Sequence, residues 1–144
     1  MNPNAARISQ IDSQLRNIRS NIENSTDARR RVRERLQNLR NAITKLNQIL
    51  DSYYNFPDQF SNLNSSVTNI DFKGSRRQNV DTRLDGIGSS IKMQRDRHHE
   101  NLQLIQKRIS TEANTEADHT STISSLSAQI TTLQAERRLL ILQG

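Results

Sequence analysis

The chain has 144 residues, 21 basic and 15 acidic side chains, a net charge of +6 and a mean hydropathy of −0.84. Three Phe, two Tyr and no Trp give little bulk for a compact globular core, and four Gly with two Pro give few turns for a β-fold. The absence of Cys excludes a disulfide framework, a thiol nucleophile and a cysteine metal site.

Leu, Ile, Val and Phe make up 34 of the 144 residues. That share, about 24%, lies just above the level at which chains stay disordered, so the apolar residues must be concentrated along a stripe. From Ile8 they step by three and four: Ile8, Ile11, Leu15, Ile18, Ile22, then Ser25 and Arg29, then Val32, Leu36, Leu39, Ile43, Leu46 and Leu50. Only Ile49 falls off this line among the large apolar residues before position 53. Such a run places one narrow apolar face on a long helix, as in a coiled-coil seam.

Pro57 cannot sit inside a helix without losing a hydrogen bond, yet it suits a first turn. The spacing of Phe56, Phe60, Leu63, Val67 and Ile70 therefore predicts a kink over residues 55–58, near Pro57, and a short continuation of the seam to Ile70. A loop over this Asn/Ser-rich stretch is the alternative. After "NIDFKGSRRQNV" the stripe resumes with Val80, Leu84, Ile87 and Ile91, then Gln94 and His98, then Leu102, Ile105 and Ile109. Glu112, Glu116 and His119 interrupt it before Ile123, Leu126, Ile130, Leu133, Arg137 and Leu140. Leu104, Leu139, Ile141 and Leu142 stand off that line. The expected fold is all-α: one domain, residues 1–144, forming a long antiparallel, coiled-coil-like helical hairpin. Its arms span about residues 6–70 and 77–142, with an apex near Phe72 and Gly74.

Charge supports the fold-back. Residues 7–35 hold eight Arg and four acids, whereas residues 109–136 hold four acids and no base. With the apex at Phe72, facing residues have numbers that sum to about 141 to 145. Arg29, a charged misfit in the first stripe, then faces Glu112 or Glu116 in the second, and the expected seam pair joins Arg29 to one of these carboxylates. A two-helix hairpin covers each stripe on one side only, so the pattern calls for a protein partner, self or non-self.

Catalytic signatures are missing from the sequence. "HHE" at residues 98–100 lacks zincin spacing, "GIG" at residues 86–88 has no preceding strand or third glycine, and neither a phosphate loop nor a nucleophile elbow occurs. The reading is a non-enzyme with no cofactor and no metal. "ARRRVRERLQNLR", residues 28–40, is the best nucleic-acid candidate. Its heptads run on both sides and it lacks aromatics to stack bases, so a solvated or partner-facing basic face is preferred. The longest strictly apolar run, "LLIL" at residues 139–142, is far below a bilayer span of roughly 20 residues. The N-terminal "MNPNAARISQ" carries no apolar signal core, which leads to a cytoplasmic expectation.

Two amphipathic helices flanking a mid-chain aromatic-x-Gly turn resemble the WXG-type proteins of type VII secretion systems, and most closely the longer YwqH-like proteins associated with LXG toxins of Gram-positive bacteria. Phe72, Lys73 and Gly74 stand where that family has Trp-x-Gly. The resemblance implies a chaperone or targeting factor that packs its helices against the N-terminal helical region of an LXG effector, or against another small helical protein, and is co-secreted or left behind. The family's export signal, Tyr-x-x-x-Asp/Glu or a Phe variant after the second helix, has no counterpart in a tail without aromatics. "YNFPD" at residues 54–58 has the letters but contains Pro57 and precedes the apex. The chain is thus expected to support a cargo, with Leu139, Leu140, Ile141 and Leu142 as its candidate docking patch. A structural or tethering coiled coil, a homo-oligomer and a polyanion-binding helical protein are the competing readings.

Overall fold

The computed structural model describes residues 3–68 and 74–144. Among them are two helices, α1 (Ala5–Thr68) and α2 (Ser75–Gln143), and no strand. The helices pack against each other in antiparallel fashion, an all-α helical hairpin. Contacts cluster into two compact units. Unit 1 joins Met1–Gln37 to Ser110–Gly144, and unit 2 is Asn38–Ile109.

Helix α1 forms because its apolar residues repeat on one face with no glycine to interrupt them. All thirteen positions of its stripe, Ser25 and Arg29 included, are buried or half-buried. In unit 1, Ile11, Val32 and Leu36 are fully enclosed and Leu15 is buried, and in unit 2 Leu46 and Leu50 are buried. The off-line Ile49 is exposed, as its position one residue before the stripe requires. Residues 55–58 are helical, so the segment expected beyond a kink at Pro57 is continuous with α1 rather than a separate element. Phe56 and Phe60 stack at 5.6 Å on the seam side, while Leu63 turns out to solvent.

Helix α2 follows its predicted stripe with one local shift. Ile87 and Gln94 are exposed, and their neighbours Gly88 and Arg95 are half-buried instead. The shift occurs where Gly88 faces the Phe60 ring, which lies 3.5 Å from the point a Cβ would occupy. A bare backbone lets the bulky ring close this part of unit 2, and the stripe rotates by one residue to meet it. Leu84 is the one buried hydrophobic of α2, and the rest of its stripe is mostly half-buried.

The helix ends carry identifiable signals. The Asn4 carbonyl accepts the Ile8 N–H at 2.9 Å, opening α1. Gly74 has φ +76, a left-handed conformation that costs an L side chain strain, and its carbonyl accepts the Gln78 N–H at 3.1 Å to start α2. Of the predicted apex pair, Gly74 thus sits at a backbone turn, and Phe72 lies outside the described residues.

Candidate interaction surfaces

In unit 1 the two helices are laced by ion pairs. Arg7 donates from Nε and Nη2 to the two carboxylate oxygens of Glu136 at 2.7 and 3.0 Å. Arg137 donates likewise to Asp12 at 2.6 and 3.4 Å. Two-point guanidinium–carboxylate pairing fixes orientation as well as charge. The hydrogen bonds from Arg7 and Arg137 hold Glu136 and Asp12 below the usual carboxylate range, and the carboxylates raise the two guanidiniums in return. Asn4 adds a tie between helices: its Nδ2 donates to the Leu140 carbonyl at 3.3 Å. That carbonyl belongs to the last turn of α2, where four carbonyls have no partner within the helix.

The polar interruption of the stripes meets in the same unit, with different partners from those expected. Glu112, 4% exposed, accepts from Nε and Nη2 of Arg35 at 3.3 and 3.2 Å. Glu116 accepts from Arg33 Nε at 2.8 Å. Arg29 instead donates to Thr120 Oγ1 at 3.4 Å. The expected pairing of Arg29 with Glu112 or Glu116 is therefore corrected to Arg35–Glu112 and Arg33–Glu116. The reason lies in side-chain direction. The expected register makes facing residues level at their Cα atoms, yet helical side chains lean toward their own N-terminus. The sums for these pairs, 149 for Arg33–Glu116 and 147 for Arg35–Glu112, lie above the 141 to 145 expected for an apex at Phe72. The sequence signal for Arg33 and Arg35 was present as charge, but each stands one residue off the first stripe, beside Val32 and Leu36.

Among the depressions that the described residues form along the helix seam, two are mainly apolar. In unit 1 a groove of about 660 Å³ is lined by Ile18, Ala128 and Leu133 together with Gln14, Asn17 and Gln129. The Gln14 Oε1 atom is enclosed and has no hydrogen-bond partner. In unit 2 a groove of about 490 Å³ is lined by Ala42, Leu46, Ile49, Leu104 and Ile105, with Lys45 and Asn101 at its edge. Here the structure unites two residues that the stripes left over, Ile49 and Leu104, one from each helix. Neither was singled out as a site from the sequence. Their shared position, one residue before a stripe residue in each helix, was the available signal.

The terminal cluster is partly as expected. Leu139, Ile141 and Leu142 are exposed, whereas Leu140 is half-buried on the seam side. His98 lies against the Tyr53 ring at 5.6 Å, and Tyr53 Oη donates to Gln94 Oε1 at 3.2 Å. Among the described residues no group of three His, Asp or Glu is placed to hold a metal ion, and no helix is long and apolar enough to cross a membrane. No family model, curated protein or solved structure matches the chain.

Proposed function

We propose that this chain is a non-catalytic helical binding partner whose second helix is completed by another protein. The observation that carries the reading is the unequal coverage of the two stripes. Among the described residues, six hydrophobic side chains of α1 are buried against one, Leu84, of α2. A stripe half-covered along most of a helix is the condition under which a further helix adds apolar burial, at about 25 cal/mol per Å². The aromatic-x-Gly segment before α2, with Gly74 at positive φ, supports the more specific reading: a WXG-type, YwqH-like chaperone or targeting factor for the N-terminal helical region of an LXG effector. In that reading Leu139, Ile141 and Leu142 add an apolar contact at the end of α2.

Co-expression with the N-terminal helical region of an LXG-type effector encoded beside this chain tests the proposal. A complex that survives size-exclusion chromatography is expected. Failure of every such region to bind, with the chain instead self-associating through its seam, would establish the tethering coiled coil in its place.

A further inference from the structure

The arginines of unit 1 are unequally served by its carboxylates. Among the described residues, Arg7, Arg30, Arg33, Arg35 and Arg137 each pair with an acid. Arg16, Arg19 and Arg138 are exposed and make no ion pair. Two of these three come together: Arg19 from α1 and Arg138 from α2 line one depression of about 450 Å³, along with Asp12, Arg137, Leu15 and Ile141.

The lining holds three guanidiniums and one carboxylate, an excess of two positive charges. That carboxylate is already engaged, because both Asp12 oxygens accept from Arg137, at 2.6 and 3.4 Å. The pairing uses Nε and Nη2 and fixes the plane of the Arg137 guanidinium. Arg16 and Arg19 also lower the Asp12 pKa through their charge, which sets a further guanidinium beside the same carboxylate. The neighbouring acids do not restore the balance. Glu136 is turned to Arg7, and Glu23, one turn beyond Arg19, is outside the lining and forms no ion pair with it. Like charges gathered in this way repel, and a bound anion relieves the repulsion.

We propose that this depression binds a phosphate monoester, its phosphate group held by Arg19 and Arg138 beside Arg137. The class of ligand follows from charge and shape. A monoester phosphate carries close to two negative charges at neutral pH, enough to cancel the excess, whereas a carboxylate cancels one. Guanidinium presents N–H donors in a fork that matches phosphate oxygens two at a time. Leu15, buried, and Ile141, 47% exposed, give the depression an apolar side for the organic group of the ester. An acidic peptide or a nucleic-acid strand brings its charges one per residue along a chain, while these guanidiniums line a single depression. The inference stands apart from the binding-partner reading and does not depend on it.

Isothermal titration of the full chain with phenyl phosphate and with benzoate, at one ionic strength, tests the site. Phenyl phosphate is expected to bind at least about tenfold more tightly than benzoate. Arg19→Gln with Arg138→Gln is expected to weaken phosphate binding by about tenfold or more while far-UV circular dichroism stays unchanged, since neither arginine holds the fold by an ion pair. Arg19→Lys with Arg138→Lys keeps the charge without the fork and is expected to fall between parent and Gln variant. No binding of phenyl phosphate, equal binding of benzoate, or full binding by the Gln variant overturns the inference. So does an RNA or a Glu-rich peptide that binds through these two arginines when phenyl phosphate does not. Sedimentation with vesicles containing phosphatidic acid, lost in the Gln variant, places the phosphate on a lipid; phenyl phosphate binding without sedimentation places it on a soluble ester.

Discussion

Charge placement at single residues shows most clearly what holds unit 1 in register. Glu112 is enclosed and receives two hydrogen bonds from Arg35, while Glu116 and Arg33 meet closer to solvent. Exposed pairs contribute little, because water screens them and ordering two long side chains costs entropy. The Arg33–Glu116 pair is thus expected to show a coupling of about 0.2–1 kcal/mol in a double-mutant cycle, and Arg35–Glu112 a larger one. Arg29 is expected to show none with either glutamate, its contact being Thr120. Urea unfolding of the single and double variants measures all three. The presence of a polar cluster here was legible in the sequence, because both stripes lose their apolar residues in the same stretch. Its partners were not legible, since sequence position marks where a side chain is attached and not where its tip arrives.

Helix α2 depends on what its glycines do, and they do different things. Gly74 sits at φ +76 with open space around it, so a methyl group would meet no neighbour but would strain the backbone. Gly74→Ala is expected to destabilise the chain by about 1–2 kcal/mol. Gly86 lies inside the helix with nothing near it, so Gly86→Ala is expected to stabilise by up to about 1 kcal/mol. Opposite shifts in thermal midpoint would verify both. The termini of the helices respond to acid instead. Glu136 and Asp12 have carboxylate pKa values lowered in the fold by Arg7 and Arg137. Their contribution is fully present above the ordinary carboxylate range, about pH 4, and is lost as the pH falls through the lower folded values. Hydrogen exchange of the first turns of α1 and the last turns of α2 is therefore expected to accelerate, relative to the middle of unit 1, as the pH drops toward 2. Glu136→Gln is expected to remove part of that dependence.

For the whole molecule, the residues that build the fold leave much of the α2 stripe half-buried. The 3-4 periodicity made α1 legible as far as Leu50: the stripe positions up to there are buried or half-buried and the one misfit, Ile49, is exposed, whereas Leu63, placed on the continued seam, faces solvent. α2 was legible except at Ile87 and Gln94; at Ile87 the packing of Phe60 on Gly88 overrides the periodic pattern, and Gln94 meets Tyr53 Oη instead. No periodicity encodes that contact, because it depends on a ring from the other helix. The unit 2 groove was likewise hidden, since Ile49 and Leu104 register as errors in two separate stripes until the helices bring them together. The central claim is that α2 awaits a second protein along its stripe. Hydrogen–deuterium exchange on the chain alone and mixed with the N-terminal helical region of an LXG effector, the proposed partner, tests this. The account predicts slower exchange along α2, by about tenfold or more, with little change at the buried face of α1. Exchange that is identical in the two samples along α2 would contradict it.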